Sequence, residues 1–295
     1  MILKTIITSG ALLIIYLASL SVLVPNLKTQ QHQWESNTIK AENFIYASKQ
    51  YRSIIVGSSL ANRIVTDSID EFYNLAFSAK GIFDGLKILT ESNQLPENVF
   101  IETNVILRPE DKEFTNSITN PIRYRFLKYA PGLRSGKQPI PSFLAPPMAF
   151  LISGTLYRIK LNLMPSYQTQ KKKTEAGIFD VKLNKNIENA SVKPDTARLS
   201  QALDLLSSYV NKLEKKGINV IFFEMPVHEK IYNLASPTQI RLAILNRFPS
   251  SEYKYITLPP DLNFKTTDGV HLDLGGAYQY RSHFMHKVNC NYCNN

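Results

Sequence analysis

The sequence predicts an α/β protein built on a doubly wound, mostly parallel sheet, and three observations predict it. Five short apolar runs of strand length, at residues 52–56, 73–77, 99–107, 218–225 and 253–258, alternate with stretches that carry apolar residues at helical spacing. The run 218–225 is almost wholly apolar, as a strand covered on both faces must be. A Gly57-Ser58-Ser59-Leu60 turn directly follows the first run, where a parallel sheet presents its ligand-binding edge.

Taken in order, residues 52–56 form the first strand and residues 60–70 the helix after it, with the positive end of its dipole near Ser59. Residues 73–77 form the second strand. Ile82, Phe83, Leu86, Ile88 and Leu89 mark a helix over 82–92, and residues 99–107 make the third strand. Asp195 is an acceptable N-cap for a long amphipathic helix carrying Leu199, Leu203, Leu206, Val210 and Leu213. Lys215-Lys216-Gly217 ends that helix with cations and then a glycine. The fourth strand, a helix over 240–248, the fifth strand, a loop at 268–271 and a closing helix over 275–286 complete the series.

Between the third strand and the long helix lies an insertion, residues 108–193. Its eight prolines argue against long regular elements there. It holds 15 Lys and Arg against 6 Asp and Glu, a net +9 of the chain's +10, and includes Lys171-Lys172-Lys173. Its apolar middle, around residues 143–156, either packs on the core or docks on a membrane face or an integral membrane partner. No nucleic-acid partner is expected: an exported chain would not meet one, and no stacking aromatics interleave the basic run.

At 295 residues, 44% hydrophobic and 20% charged, the chain can bury a sizeable core and is not globally disordered. Its N-terminus stands apart. Residues 5–27 carry no charge and residues 6–24 are mostly apolar, close to the ~20 residues a helix needs to cross a bilayer. Residues 1–27 therefore read as a transmembrane signal anchor, with a cleaved signal ending near Ala18-Ser19-Leu20-Ser21 as the alternative. Residues 28–50 read as a polar linker leading into a short helix, and 51–295 as the working domain. Lys4 inside and the bulk outside is the orientation, and both readings export that domain. Cys290 and Cys293 sit in the tail, away from any strand-to-helix junction, and suit a small disulfide loop or an incidental pair.

The chemistry-bearing residues are few. A serine hydroxyl is unreactive at its free pKa; it needs a base, and the base needs an orienting acceptor. Ser59 follows a buried strand, and Asp268-Gly269-Val270-His271 supplies a carboxylate and an imidazole three residues apart. The α/β-hydrolase elbow needs glycine two positions after its serine, where this chain has Ala61. His228, leaving the fourth strand, is a candidate substrate-binding residue or second base, and Glu102 faces either the pocket or away from it.

Gly57-Ser58-Ser59-Leu60 with Asp268-x-x-His271 resembles the SGNH (GDSL-type) hydrolase superfamily, which has a flavodoxin-like fold. Asn74-Leu75-Ala76-Phe77-Ser78-Ala79-Lys80-Gly81 is similar to its second block and Val99-Phe100-Ile101-Glu102-Thr103-Asn104 to its third. The chain departs in having Ser58 for the usual aspartate and Ala79 for the usual glycine. The resemblance implies Ser59 as nucleophile, His271 as base, Asp268 as its orienter, and an oxyanion hole from Asn104 and the backbone N–H groups of Ser59 and Ala79 (or Gly81). Alanine serves in that place provided its φ stays negative. No metal or cofactor is implied. Anchored, exported members of this family acylate envelope polysaccharides, taking acyl groups from a multi-spanning acyltransferase. The expectation is thus a membrane-tethered, extracytoplasmic O-acyl (acetyl) transferase, in the bacterial periplasm or at the cell surface. Its substrate would be a polysaccharide, with Lys171, Lys172, Lys173 and His228 as substrate contacts. A plain esterase or deacetylase of envelope glycans, or a non-catalytic scaffold subunit, are the alternatives.

Overall fold

Four consecutive buried residues, Ser53–Val56, form β1, and the sheet grows around it in a computed structural model of the chain. The structure describes residues 2–23, 33–66, 69, 71–137, 165–260 and 263–292. β1 pairs in parallel with β2 (Phe72–Asn74) on one side and with β3 (Asn98–Glu102) on the other. β4 (Asn219–Phe223) and β5 (Lys254–Ile256) extend the sheet beyond β3, also in parallel, giving the order β2-β1-β3-β4-β5. That order reverses between β1 and β3, so the crevice at the sheet's carboxyl edge opens where those two strands end. The five-stranded, all-parallel open sheet with its flanking helices is consistent with the doubly wound arrangement expected.

The chain divides into two compact units. The larger comprises residues 47–115 and 173–295 and contains the sheet. On one face β1 meets α3 (Ile82–Glu91), where Gly85 packs so tightly that a Cβ would lie 2.8 Å from Val56. Phe83 of α3 meets Tyr209 of α7 (Thr196–Glu214), with 6.3 Å between ring centroids. On the other face Phe284 of α10 (Leu274–Tyr292) packs edge-on against Phe100 and Phe223. The Asp195 cap is formed, its carboxylate accepting the Arg198 N–H at 2.8 Å, and Gly217 takes φ +74° after the helix. Two short helices, α8 (Glu229–Tyr232) and α9 (Ala235–Arg247), lie between β4 and β5; α9 begins earlier than residue 240.

The helix expected over residues 60–70 is not found among the described residues of that stretch. Among the described residues only one 3-10 turn, Ala61–Arg63, follows Ser59. The Asn74 side chain holds this turn: its amide donates to the carbonyls of Ala61 (2.8 Å) and Ile64 (2.7 Å), and its oxygen accepts the Ala76 N–H (2.9 Å). These bonds tie the turn's carbonyls to the end of β2, and among the described residues no α-helix starts directly behind Ser59.

The insertion also differs from expectation, because it carries regular helices: α4 (Lys112–Thr119), α5 (Pro121–Tyr129) and the 27-residue α6 (Pro165–Ser191). Two of its prolines, Pro121 and Pro165, stand where helices tolerate them. Pro121 is the first residue of α5 behind the cap Asn120, whose oxygen accepts from the N–H groups of Ile122 and Arg123, and Pro165 begins α6. The apolar middle, within residues 138–164, lies outside the described residues, as do the side chains of Cys290 and Cys293.

The smaller unit, residues 1–46 and 116–172, holds α1 (Ile2–Leu23) and α2 (Gln33–Ile45). The short helix expected after the linker occupies residues 33–45, which bury one face around Ala41 and Phe44. Glu42 on that face is buried and accepts from Arg123 Nη2 (2.7 Å) and the Ser135 N–H (2.7 Å). Among the described residues no helix is long and apolar enough to cross a membrane. The described side chains of α1, residues 4–15, include exposed Ile6, Ile7, Leu12, Leu13, Ile14 and Ile15.

Candidate active site

Ser59 stands on the turn that leaves β1, and its geometry is set from below by Glu102, the last residue of β3. The Glu102 carboxylate is fully buried. It accepts the Ser58 N–H at 2.7 Å, the Ser58 hydroxyl at 2.9 Å and, more weakly, the Ala61 N–H at 3.3 Å. Ser58 in turn accepts the Leu60 N–H at 3.2 Å. Every peptide N–H of residues 58, 60 and 61 is thereby tied inward, while the Ser59 N–H has no acceptor among the described residues. Gly57 makes room for this arrangement: a Cβ there would lie 2.4 Å from Ala61 Cβ and 2.7 Å from Glu102 Oε2. Burial pushes the Glu102 carboxyl above its ordinary range against the hydrogen bonds from Ser58 and Ala61 that favour its charge.

Ser59 Oγ lies 2.9 Å from His271 Nε2, and His271 Nδ1 lies 2.7 Å from Asp268 Oδ2. Asp268 Oδ1 accepts the N–H groups of Val270 (3.0 Å) and His271 (2.8 Å). Partial burial opposes the charge on Asp268, but the His271 backbone and ring and the Val270 N–H outweigh it and hold the carboxyl below its usual range. An ionised Asp268 only accepts, so Nδ1 carries the imidazole proton and Nε2 presents its lone pair to Ser59.

The loop holding these groups is built from close contacts. Gly269 adopts φ +93°, and a Cβ on it would meet Leu183 Cδ1 at 2.5 Å. The carbonyl of Asp268 accepts from Asn186 Nδ2 of α6 at 2.9 Å, and the Gly269 carbonyl accepts the His228 N–H at 2.8 Å.

Asn104 follows β3 and is pinned by Met225 beyond β4. Its Nδ2 donates to the Met225 carbonyl (2.9 Å) and its Oδ1 accepts the Met225 N–H (2.7 Å), which fixes the amide's orientation. One N–H of the amide remains for another acceptor. Asn104, Ser59 and His271 line one cavity of about 360 Å³, with Arg108, Asn186, Asn189 and the Glu224–Arg241 ion pair also in its wall.

Other expected residues stand elsewhere. Ala79 is exposed, does not line this cavity, and adopts φ +56°, not the negative φ expected of a non-glycine residue. Its N–H has no acceptor among the described residues, whereas the Gly81 N–H is committed to Asp84 Oδ2 at 2.8 Å. Gly81 itself answers to packing, since a Cβ would lie 2.8 Å from the Arg108 carbonyl. His228 caps α8 by accepting the Lys230 N–H at 3.2 Å and does not line the Ser59 cavity. Lys171, Lys172 and Lys173 belong to α6, but their side chains lie outside the described residues. Sequence reasoning missed Asn186, Asn189 and Arg241: a lone amide or guanidinium on a helix has no motif around it.

Compared with protein-family models, with curated proteins and with solved structures, the chain matches none.

Proposed function

We propose that the chain is a serine-dependent O-acyltransferase of the SGNH type, tethered to a membrane and acting outside the cytoplasm on a cell-envelope polysaccharide. The observation that carries this reading is the unbroken hydrogen-bond line from Ser59 through His271 to Asp268 at the sheet's carboxyl edge. Four motif blocks in the expected order support the family, and the strand order 2-1-3-4-5 suits it.

In this mechanism Ser59 Oγ attacks the donor ester's carbonyl carbon as its proton passes to His271 Nε2. The negative charge gathering on the carbonyl oxygen is met by the Ser59 N–H and the remaining amide N–H of Asn104. Collapse of the tetrahedral intermediate expels the donor alcohol, which takes the proton from His271 and leaves an acyl group on Ser59. A sugar hydroxyl then attacks, giving its proton to His271; the second collapse returns that proton to Ser59 and releases the acylated sugar. Water in place of the sugar would make the enzyme an esterase.

The tether rests on sequence and on α1. Residues 5–27 are uncharged, and the described apolar side chains of α1 from Ile6 to Ile15 are exposed. The basic excess of residues 108–193 would concentrate an anionic polymer near the membrane. The test is acyl transfer from a nitrophenyl ester to an anionic oligosaccharide, read by mass spectrometry. Acylated sugar from the wild type and none from Ser59→Ala is the expected result. Free acid alone, with no acylated sugar at any acceptor concentration, would leave an esterase.

A further inference from the structure

We infer that the cavity beside Ser59 is an acyl-chain pocket, built for an acyl group of about four to eight carbons rather than for acetyl. The inference deepens the acyl-transfer reading above and rests on it. An acetyl group brings a single methyl beyond the reacting carbon and needs little more than the immediate surroundings of Ser59 and His271. The cavity that those two residues line is about 360 Å³, within the range of sites that enclose small organic ligands.

Its walls say what kind of ligand. Leu60, Val105, Val227, Ile231, Ile240 and Val270 all line it. Val227 and Ile231 are themselves buried in a cluster with Leu183 of α6, against which Val270 and Ala190 pack. This wall is therefore held by packing from three separate elements and is preformed for apolar contact.

The ion pair in the wall offers no net charge to a ligand, whereas Arg108, which donates through Nη1 to the Lys80 carbonyl at 3.0 Å, keeps a cation in the lining beside the apolar face. Arg241 donates through Nε to Glu224 Oε2 (2.9 Å) and through Nη2 to Oε1 (2.8 Å), and its guanidinium lies 4.1 Å from the centre of the Tyr232 ring. A doubly bonded, stacked guanidinium is neutralised where it stands. The same pair, with Thr103, also lines a second cavity of about 530 Å³. These side chains are shared by the two cavities, and on this inference they bound the length of chain the first cavity takes.

The experiment is a chain-length series on the full chain: nitrophenyl acetate, butyrate, hexanoate, octanoate and decanoate, with Ser59→Ala as control. Each buried methylene should raise kcat/KM by up to about four-fold until the pocket is full. Hexanoate is therefore expected to exceed acetate by at least tenfold, with a fall by decanoate. Ile240→Phe, which narrows the pocket, should move the optimum toward shorter esters, and Ile240→Ala should move it toward longer ones; the ratio between esters is the readout. Binding of methyl-, butyl- and hexylboronic acids, which add reversibly to a serine hydroxyl, gives the same ranking without turnover.

Ser59-dependent turnover that is fastest on acetate, with no gain in affinity from methyl- to hexylboronic acid, overturns the pocket assignment and leaves the serine reading standing. Turnover unaffected by Ser59→Ala overturns the serine reading instead. A chain that neither turns over these esters nor binds the boronic acids overturns both.

Discussion

Replacing Glu102 tests how the Ser59 turn is held, and the structure sets the size of the effect. In Glu102→Leu the Ser58 N–H and hydroxyl lose acceptors at 2.7 and 2.9 Å, in a place water does not reach. A buried donor left without a partner costs about 1–3 kcal/mol, so these two alone cost roughly 2–6 kcal/mol. The Ala61 N–H, at 3.3 Å, adds less. Against this, leucine needs no buried carboxylate, which returns part of the loss. A net loss of about 2–4 kcal/mol is a large share of the roughly 5–15 kcal/mol that holds a domain folded. Glu102→Gln separates the hydrogen bonds from the charge, since its oxygen can still accept from Ser58 and Ala61. The sign follows from the raised carboxyl: a folded-state pKa above the unfolded value of 4.5 means the fold binds the proton more tightly. Wild-type stability from this group is then fullest below that unfolded value and is lost as pH rises through the folded value. Glutamine cannot titrate, so Glu102→Gln should gain on the wild type as pH rises above the unfolded value of about 4.5. Urea unfolding at several pH values reads both effects. Leucine within 1 kcal/mol of wild type, or a constant gap between glutamine and wild type across that range, would refute the reasoning.

Three further outcomes follow from the site. Asn104→Ala should lower kcat by about 10²–10³ with KM little changed, because an oxyanion donor acts mainly in the transition state; nitrophenyl ester kinetics decide it. Asp268→Asn should lower kcat by about 10⁴, since an amide no longer holds the Nδ1–H tautomer of His271, and steady-state assays at several pH values check this. Ala79→Gly should raise stability by about 1 kcal/mol, because a residue at φ +56° carries left-handed strain that glycine lacks; thermal unfolding would show an unchanged or lower midpoint if the strain were absent.

Much of the fold could be read because parallel strands covered on both faces leave continuous apolar runs, and Ile54-Ile55-Val56 and Val220-Ile221-Phe222-Phe223 do so plainly. Ser59, Asp268 and His271 were legible for a different reason: few residue types can activate a serine, and the last two are fixed in one short loop. The short turn after Ser59 was not legible, because the Asn74 side chain that holds its carbonyls reaches back from β2. The role of Glu102 was hidden by the alternation of a strand, which gives two faces without saying which is which. Prolines misled in the insertion: counted, they argue against helices, yet Pro121 and Pro165 are helix starters by position. Asn186 reaches Asp268 across 82 residues of sequence, a pairing that no local pattern announces.

The central claim, that Ser59 is a nucleophile activated by His271 and oriented through Asp268, is tested most directly by stoichiometric labelling. A fluorophosphonate is attacked at phosphorus by an activated serine oxygen and expels fluoride, leaving a stable adduct whose mass is read on the intact chain and on its peptides. The account predicts one adduct per chain, on Ser59, lost in Ser59→Ala and slowed by several orders of magnitude in His271→Ala. A chain that takes no label, or takes it on another residue at a rate indifferent to His271, would contradict it.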